Sequence, residues 1–182
     1  YLSVIGGLSQ SQFTVLSPTE QGTGIPSSAV HLGLNLEQFV QPNLSFSLEG
    51  MGHYSKNKYL RNRHPQLSIG VLSSYYVSPG ASIGVGLNIT HTPLHDHLFI
   101  KDAKHTSHLR TTNGLVFIKS AINETTYIRL ELSTKSFLPS HQTDLFSSQR
   151  DTWSHNLLDN MNISQAGFKF NIGYHFKENV FG

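Results

Sequence analysis

Ser164-Gln165-Ala166-Gly167-Phe168-Lys169-Phe170-Asn171-Ile172-Gly173-Tyr174-His175-Phe176 is the stretch whose reading decides the fold. Every second residue from Ala166 to Phe176 is apolar, and Gly167, Lys169, Asn171, Gly173 and His175 between them are small or polar. A period of two sends alternate side chains to opposite sides of a β-strand, so this strand has one apolar and one wet face. In a soluble sheet the apolar face would be core. A run of aromatics ending in Tyr174 and Phe176 also suits a strand that faces lipid and finishes at an aromatic girdle.

Working outward, the same alternation recurs about eight times along the chain. Just upstream, Ile128, Leu130 and Leu132 oppose Tyr127, Arg129, Glu131, Ser133 and Lys135. Before that, a segment from Arg110 to Ile122 is ambiguous in phase, because Leu115 and Phe117 compete with Val116 and Ile118. Ala81, Ile83, Val85, Leu87 and Ile89 alternate with Ser82, Gly84, Gly86, Asn88 and Thr90. Leu67, Ile69, Val71, Ser73 and Tyr75 share one face of a fourth strand, and Leu44, Phe46 and Leu48 one face of a third, opposite Ser45, Ser47, Glu49 and His53. Val30, Leu32, Leu34 and Leu36 oppose His31, Gly33, Asn35 and Glu37, and the first strand runs over Tyr1 to Ser9.

Between these segments the connections alternate in length. Gln41-Pro42-Asn43, Ser78-Pro79-Gly80 and Asn123-Glu124-Thr125 are tight turns. Pro presets φ there, and Asn or Gly tolerates unusual backbone angles. Gln10 to Ser28, Ser55 to Gln66, His91 to His108 and Leu138 to Ile163 are expected to be long loops. Short turns on one side and long loops on the other are the layout of outer-membrane barrels, with the turns periplasmic. The expected fold is therefore all-β: an eight-stranded antiparallel up-and-down transmembrane β-barrel over residues 1–176, with a short tail at 177–182.

Composition agrees. A chain of 182 residues suits one domain. Its charged fraction is 13%. Soluble domains carry roughly 25%. The hydrophobic fraction is only 37%, so small polar residues fill the difference. No run approaches the roughly 20 apolar residues of a membrane helix, which a barrel does not need. The absence of cysteine removes disulfides and thiol chemistry. A net charge of +2 gives no reason to expect nucleic acid. No basic segment and apolar run precedes Tyr1, so any signal peptide is expected to have been removed.

Alternation alone also permits a soluble, lipocalin-like ligand-binding barrel, with the apolar face turned into a cavity. The polar face decides against it, since Glu37, Glu49, Arg129, Glu131 and Lys169 stand there among Gly, Ser and Asn. That content suits a narrow barrel filled by small residues and paired charges. With these segments, the loop-length alternation and the strand from Gly167 to Phe176, the chain resembles the small eight-stranded outer-membrane proteins of the OmpA, OmpX and opacity-protein group. Such proteins usually end on the aromatic, whereas Lys177 to Gly182 follow Phe176 here. The resemblance implies a bacterial outer-membrane location.

Four sets of residues are candidates for function. Barrel closure would bring Glu37, Glu49, Arg129, Glu131 and Lys169 into one lumen, where unpaired charge is costly, so salt bridges are expected to plug it. Lys56, Lys58, Arg61 and Arg63 form the basic cluster, suited to lipopolysaccharide phosphates or another surface ligand. His91, His95, His97, His105 and His108 are imidazoles able to bind a metal, although their spacing matches no specific motif. His53, Ser55, Ser140 and His141 are loose ingredients for a lipid A-modifying enzyme, without a compact nucleophile motif. No cofactor is expected. The leading expectation is a non-enzymatic anchor whose loops meet lipopolysaccharide, a host surface or an envelope protein. Phe137, Leu145, Phe146, Trp153, Leu157 and Leu158, at or within the ends of the longest loop, would offer an apolar contact. An accessory subunit of a larger envelope assembly is the alternative.

Overall fold

The computed structural model describes residues 1–16, 24–56, 66–95, 106–136, 141–142 and 162–176, with side chains described for 1–11, 28–55, 66–91, 111–134 and 167–176. Its strands are β1 (Leu2–Leu16), β2 (Gly24–Gln41), β3 (Leu44–Lys56), β4 (Gln66–Ser78), β5 (Ala81–His95), β6 (Thr106–Ala121), β7 (Thr126–Ser136), β8 (His141–Gln142) and β9 (Asn162–His175). Every pairing is antiparallel. β1 to β7 and β9 close a ring of eight, because β5 pairs with β6 and β9 pairs with both β7 and β1. The two-residue β8 adds to β6 at Leu109 and Arg110, past the rung where β7 ends at Ser136.

The three tight turns all fall at one end of the barrel, hereafter the turn end. At the β6–β7 turn the Asn123 side-chain oxygen accepts from the N–H groups of Thr125 and Thr126 at 2.9 and 2.8 Å and from the Thr125 hydroxyl at 3.1 Å. That side chain takes the place of a backbone acceptor, which is why Asn suits the position. The first and last strands meet along a continuous seam from Ser3↔His175 to Leu16↔Asn162.

Two expected loops are shorter than the sequence pattern suggests. β1 and β2 stay paired out to Thr14↔Gly24, inside the expected loop from Gln10 to Ser28. β5 and β6 stay paired out to His95↔Thr106, inside the expected loop from His91 to His108. The shortest of β1 to β6 has 13 residues, in β3 and β4, and the longest has 18, in β2. Crossing hydrocarbon takes roughly 9–11, so the wall extends past it.

The wall is polar inside and apolar outside. Leu32, Leu34, Ile69, Val71, Val85, Leu87, Ile118 and Ile172 point outward and are at least half exposed, while Ser3, Ser45, Ser74, Ser82, Asn35, Asn171, Glu37, Glu49, Arg129 and Glu131 point inward and are buried. A soluble barrel with an apolar cavity has the opposite polarity. In water this belt would expose many large aliphatic side chains; in hydrocarbon that exposure costs nothing, and a closed ring pairs each strand on both edges, as a membrane wall requires.

Inward space is tight. The Tyr127 ring lies against Gly173 on β9 and the Phe117 ring against Gly84 on β5, in each case where a Cβ would occupy the ring's position. These glycines let two large side chains enter a lumen that eight strands leave barely wide enough to fill.

Candidate functional site

Odd-numbered positions of β1, β2, β3, β6, β7 and β9 face the lumen, as do even-numbered positions of β4 and β5, and this parity delivers the inward charges. Arg129 on β7 reaches Glu49 on β3 with both terminal nitrogens, Nη1 to Oε2 at 2.7 Å and Nη2 to Oε1 at 2.9 Å. Such a fork is the geometry that suits guanidinium and carboxylate best. The same Nη2 lies 3.2 Å from Glu131 Oε2, and Lys169 Nζ lies 2.7 Å from Glu131 Oε1. Asn35 donates to Glu49 at 3.4 Å, and the Arg129 guanidinium also stacks over the Phe117 ring at 5.4 Å.

Glu37 stands apart from this cluster, nearer the turn end. Its carboxylate accepts from Ser45 at 2.6 Å, from Tyr76 at 2.8 Å and from Lys119 at 2.9 and 3.2 Å. Lys119 also sits over the Tyr76 and Tyr127 rings at 5.0 and 5.2 Å. That is close enough for cation–π attraction. Among the described side chains three carboxylates and three cations thus share the lumen in ion pairs, with formal charges that cancel. Lys119 is an addition to the expected charge set. Its inward direction follows from the phase of β6, which puts Leu115, Phe117 and Lys119 inside and Val116 and Ile118 outside.

On the other side of the Arg129 cluster the lumen becomes more polar. His31 Nε2 and Asn171 Oδ1 are 2.6 Å apart, His53 Nε2 and the Ser68 hydroxyl 2.8 Å, and the two imidazole rings 5.4 Å between centres. Beyond them a cavity of about 40 Å³ is bounded by Ser9, His53, Ser55, Gln66, Asn113 and Lys169 among others. It is polar and roomy enough to hold water. His53 and Ser55, named above as loose enzyme ingredients, are buried on the lumen face of β3, and the hydrogen-bond partner of His53 is Ser68, while Gln66 donates to Ser55 at 3.4 Å.

Many of the remaining candidates fall partly or wholly outside the described residues. His91 and His95 lie on β5 and His108 on β6, in register as His91↔Arg110, Pro93↔His108 and His95↔Thr106, so these three belong to strands and not to a loop. His97 and His105 fall outside the described residues. Among the described residues no group of three or more metal-type ligands converges. Lys56 ends β3 at the rim opposite the turns, paired with Ser28, while Lys58, Arg61 and Arg63 fall outside the described residues, as do the apolar residues of the longest connection and Ser140.

The class these features define is a closed eight-stranded membrane β-barrel with an inverted, charge-filled interior. No family model matches the chain, and no curated protein matches it. Among solved structures it is similar to neisserial surface protein A (NspA), at 10% identity and a TM-score of 0.52 over 96% of this chain and 97% of that one. The N-terminal β-barrel domain of Pseudomonas aeruginosa OprF aligns at 12% identity and a TM-score of 0.40, over 94% of this chain and 99% of that one. The likeness to NspA is one of fold, and the expected resemblance to small eight-stranded outer-membrane barrels holds at that level.

Proposed function

We propose that the protein is a non-enzymatic barrel of the bacterial outer membrane, acting as a rigid anchor whose segments at the end opposite the turns engage lipopolysaccharide or a protein of the host surface or envelope. The observation that carries this reading is the forked pair of Arg129 and Glu49 spanning the lumen from opposite walls. A lumen tied across its middle and filled on both sides of the tie serves poorly as a pore and well as a stiff support. Recognition on such proteins is placed in segments held by the rigid scaffold. Lys56, Lys58, Arg61 and Arg63 supply the phosphate-binding chemistry for lipopolysaccharide.

The test joins two measurements on the refolded full chain. Planar bilayers containing it are expected to show no steady conductance, and lipopolysaccharide is expected to bind it with an affinity that falls when the four basic residues become Gln. A large open-state conductance would replace the anchor by a channel. Equal binding by the quadruple variant would remove the basic cluster from the reading, and deleting residues 143–161 then asks whether a protein partner is held there instead.

A further inference from the structure

The outer wall of a small barrel should be convex, yet one part of it is hollow. A groove of about 650 Å³ crosses the outside of β4, β5, β6, β7 and β9. Its floor is the row Val85, Val116 and Leu132, continuous in register from Ser73 on β4 to Phe168 on β9. Ile118 lies two residues closer to the turns, and the rings of Tyr75 and Phe168 stand at the two flanks. The floor is low because β5 and β6 offer Val there, where most of the belt carries Leu, Ile or an aromatic.

We propose that this groove seats one acyl chain of a glycerophospholipid from the leaflet on the turn side. The groove is continuous with the lipid-facing belt, so its occupant is drawn from the bilayer, and its lining offers a polar occupant only the hydroxyls of Ser73 and Tyr75. Its dimensions suit a chain. Four inter-strand steps of about 4.8 Å make a row of about 19 Å. That row follows the curve of the wall over half the ring, and strands tilted by about 40° give it a rise of about 12 Å along the membrane normal, most of one leaflet's hydrocarbon, about 15 Å deep. Tyr75 and Ile83 are close to the Pro79-Gly80 turn, which places the groove in the turn-side half. With turns periplasmic, that leaflet holds phospholipid, not lipopolysaccharide. Apolar transfer supplies no drive between lipid and protein inside a bilayer, so selectivity here comes from the added dispersion contacts of a concave wall.

The inference rests on the membrane reading, and the experiment separates the two. Wild-type protein in nanodiscs of phosphatidylethanolamine and phosphatidylglycerol, with lipopolysaccharide added in a second sample, is released and weighed by native mass spectrometry. One retained phospholipid per barrel is expected, with retention several-fold lower in Val116→Phe and in Val85→Phe, which fill the floor from outside. Leu34→Phe on β2, across the barrel, is expected to retain lipid like the wild type. Equal retention by Val116→Phe and Leu34→Phe, retention of lipopolysaccharide in place of phospholipid, or a lipid-free dimer would each overturn the proposal. Heat-modifiable gel mobility confirms that each variant is folded, and a wild-type chain that does not insert at all refutes the membrane reading instead.

Discussion

Arg129 and Glu49 stand on strands that are diametrically opposed: whether one counts from β3 through β2, β1 and β9 or through β4, β5 and β6, β7 is four strands away. Glu37 on β2 and Lys119 on β6 are opposed in the same way. The barrel is therefore braced across two diameters at two heights, and each brace is an ion pair removed from water.

Removing the cation of the central brace should be severe. Arg129→Met leaves Glu49 and Glu131 facing each other with Lys169 alone to compensate, and a buried pair broken on one side typically costs about 3–5 kcal/mol. Urea titration of the refolded protein, read by gel mobility, measures the loss. The double variant Glu49→Leu with Arg129→Met should recover much of it, since Glu131 keeps Lys169; simple addition of the two single effects would show that the residues are not coupled.

Damage at the turn-end brace should be smaller. Tyr76→Phe removes one donor from Glu37 but leaves Ser45 and Lys119, at a cost of about 1–2 kcal/mol. Lys119→Met takes away the countercharge and is expected to cost more than Tyr76→Phe and less than Arg129→Met. An equal effect of the two lysine and arginine replacements would remove the ranking of the braces.

Two glycines should respond unequally to the same methyl group. Gly173→Ala pushes a Cβ into the Tyr127 ring. Overpacking of this kind costs about 1–3 kcal/mol. At Gly50 an added Cβ meets nothing within 4 Å. Gly50→Ala should therefore stay within about 0.5 kcal/mol of wild type. The same titration reads both.

Belt polarity gives the most direct check of orientation. Val71→Arg places a cation on the outward face in mid-wall. The expected cost in lipid is about 2–4 kcal/mol. Gln10→Arg, on the exposed outer face nearer the end opposite the turns, should be nearly neutral. Equal tolerance of both in phospholipid vesicles would place the belt in water.

The ring was legible in the sequence wherever one face met lipid and the other the lumen, because only that contrast writes a period of two. It was illegible in two circumstances. Past the hydrocarbon both faces of a strand are wet, so β1 beyond Ser9, the start of β2 and the β5–β6 rungs around His91 to His108 read as loops although they are paired. Within β6 the run Leu115-Val116-Phe117-Ile118 is apolar on both faces, since Leu115 and Phe117 fill the lumen beside Leu72 and the glycines opposite. That hid the phase and with it Lys119. The register of β6 against β7, Phe117↔Glu131 and Lys119↔Arg129, was the missing information, and no local pattern contains it.

The seam between β1 and β9 joins residues as far apart in the chain as Ser3 and His175, 172 positions, and no hairpin turn helps them meet. Until it forms, both strands are bare edges, each a template for the wrong partner. Contacts so distant in sequence are slow to assemble, because the intervening chain must already be ordered before they can be rewarded. The last strand, legible from its own thirteen letters, is thus the one on which biogenesis waits: the barrel is not a barrel until its end has found its beginning.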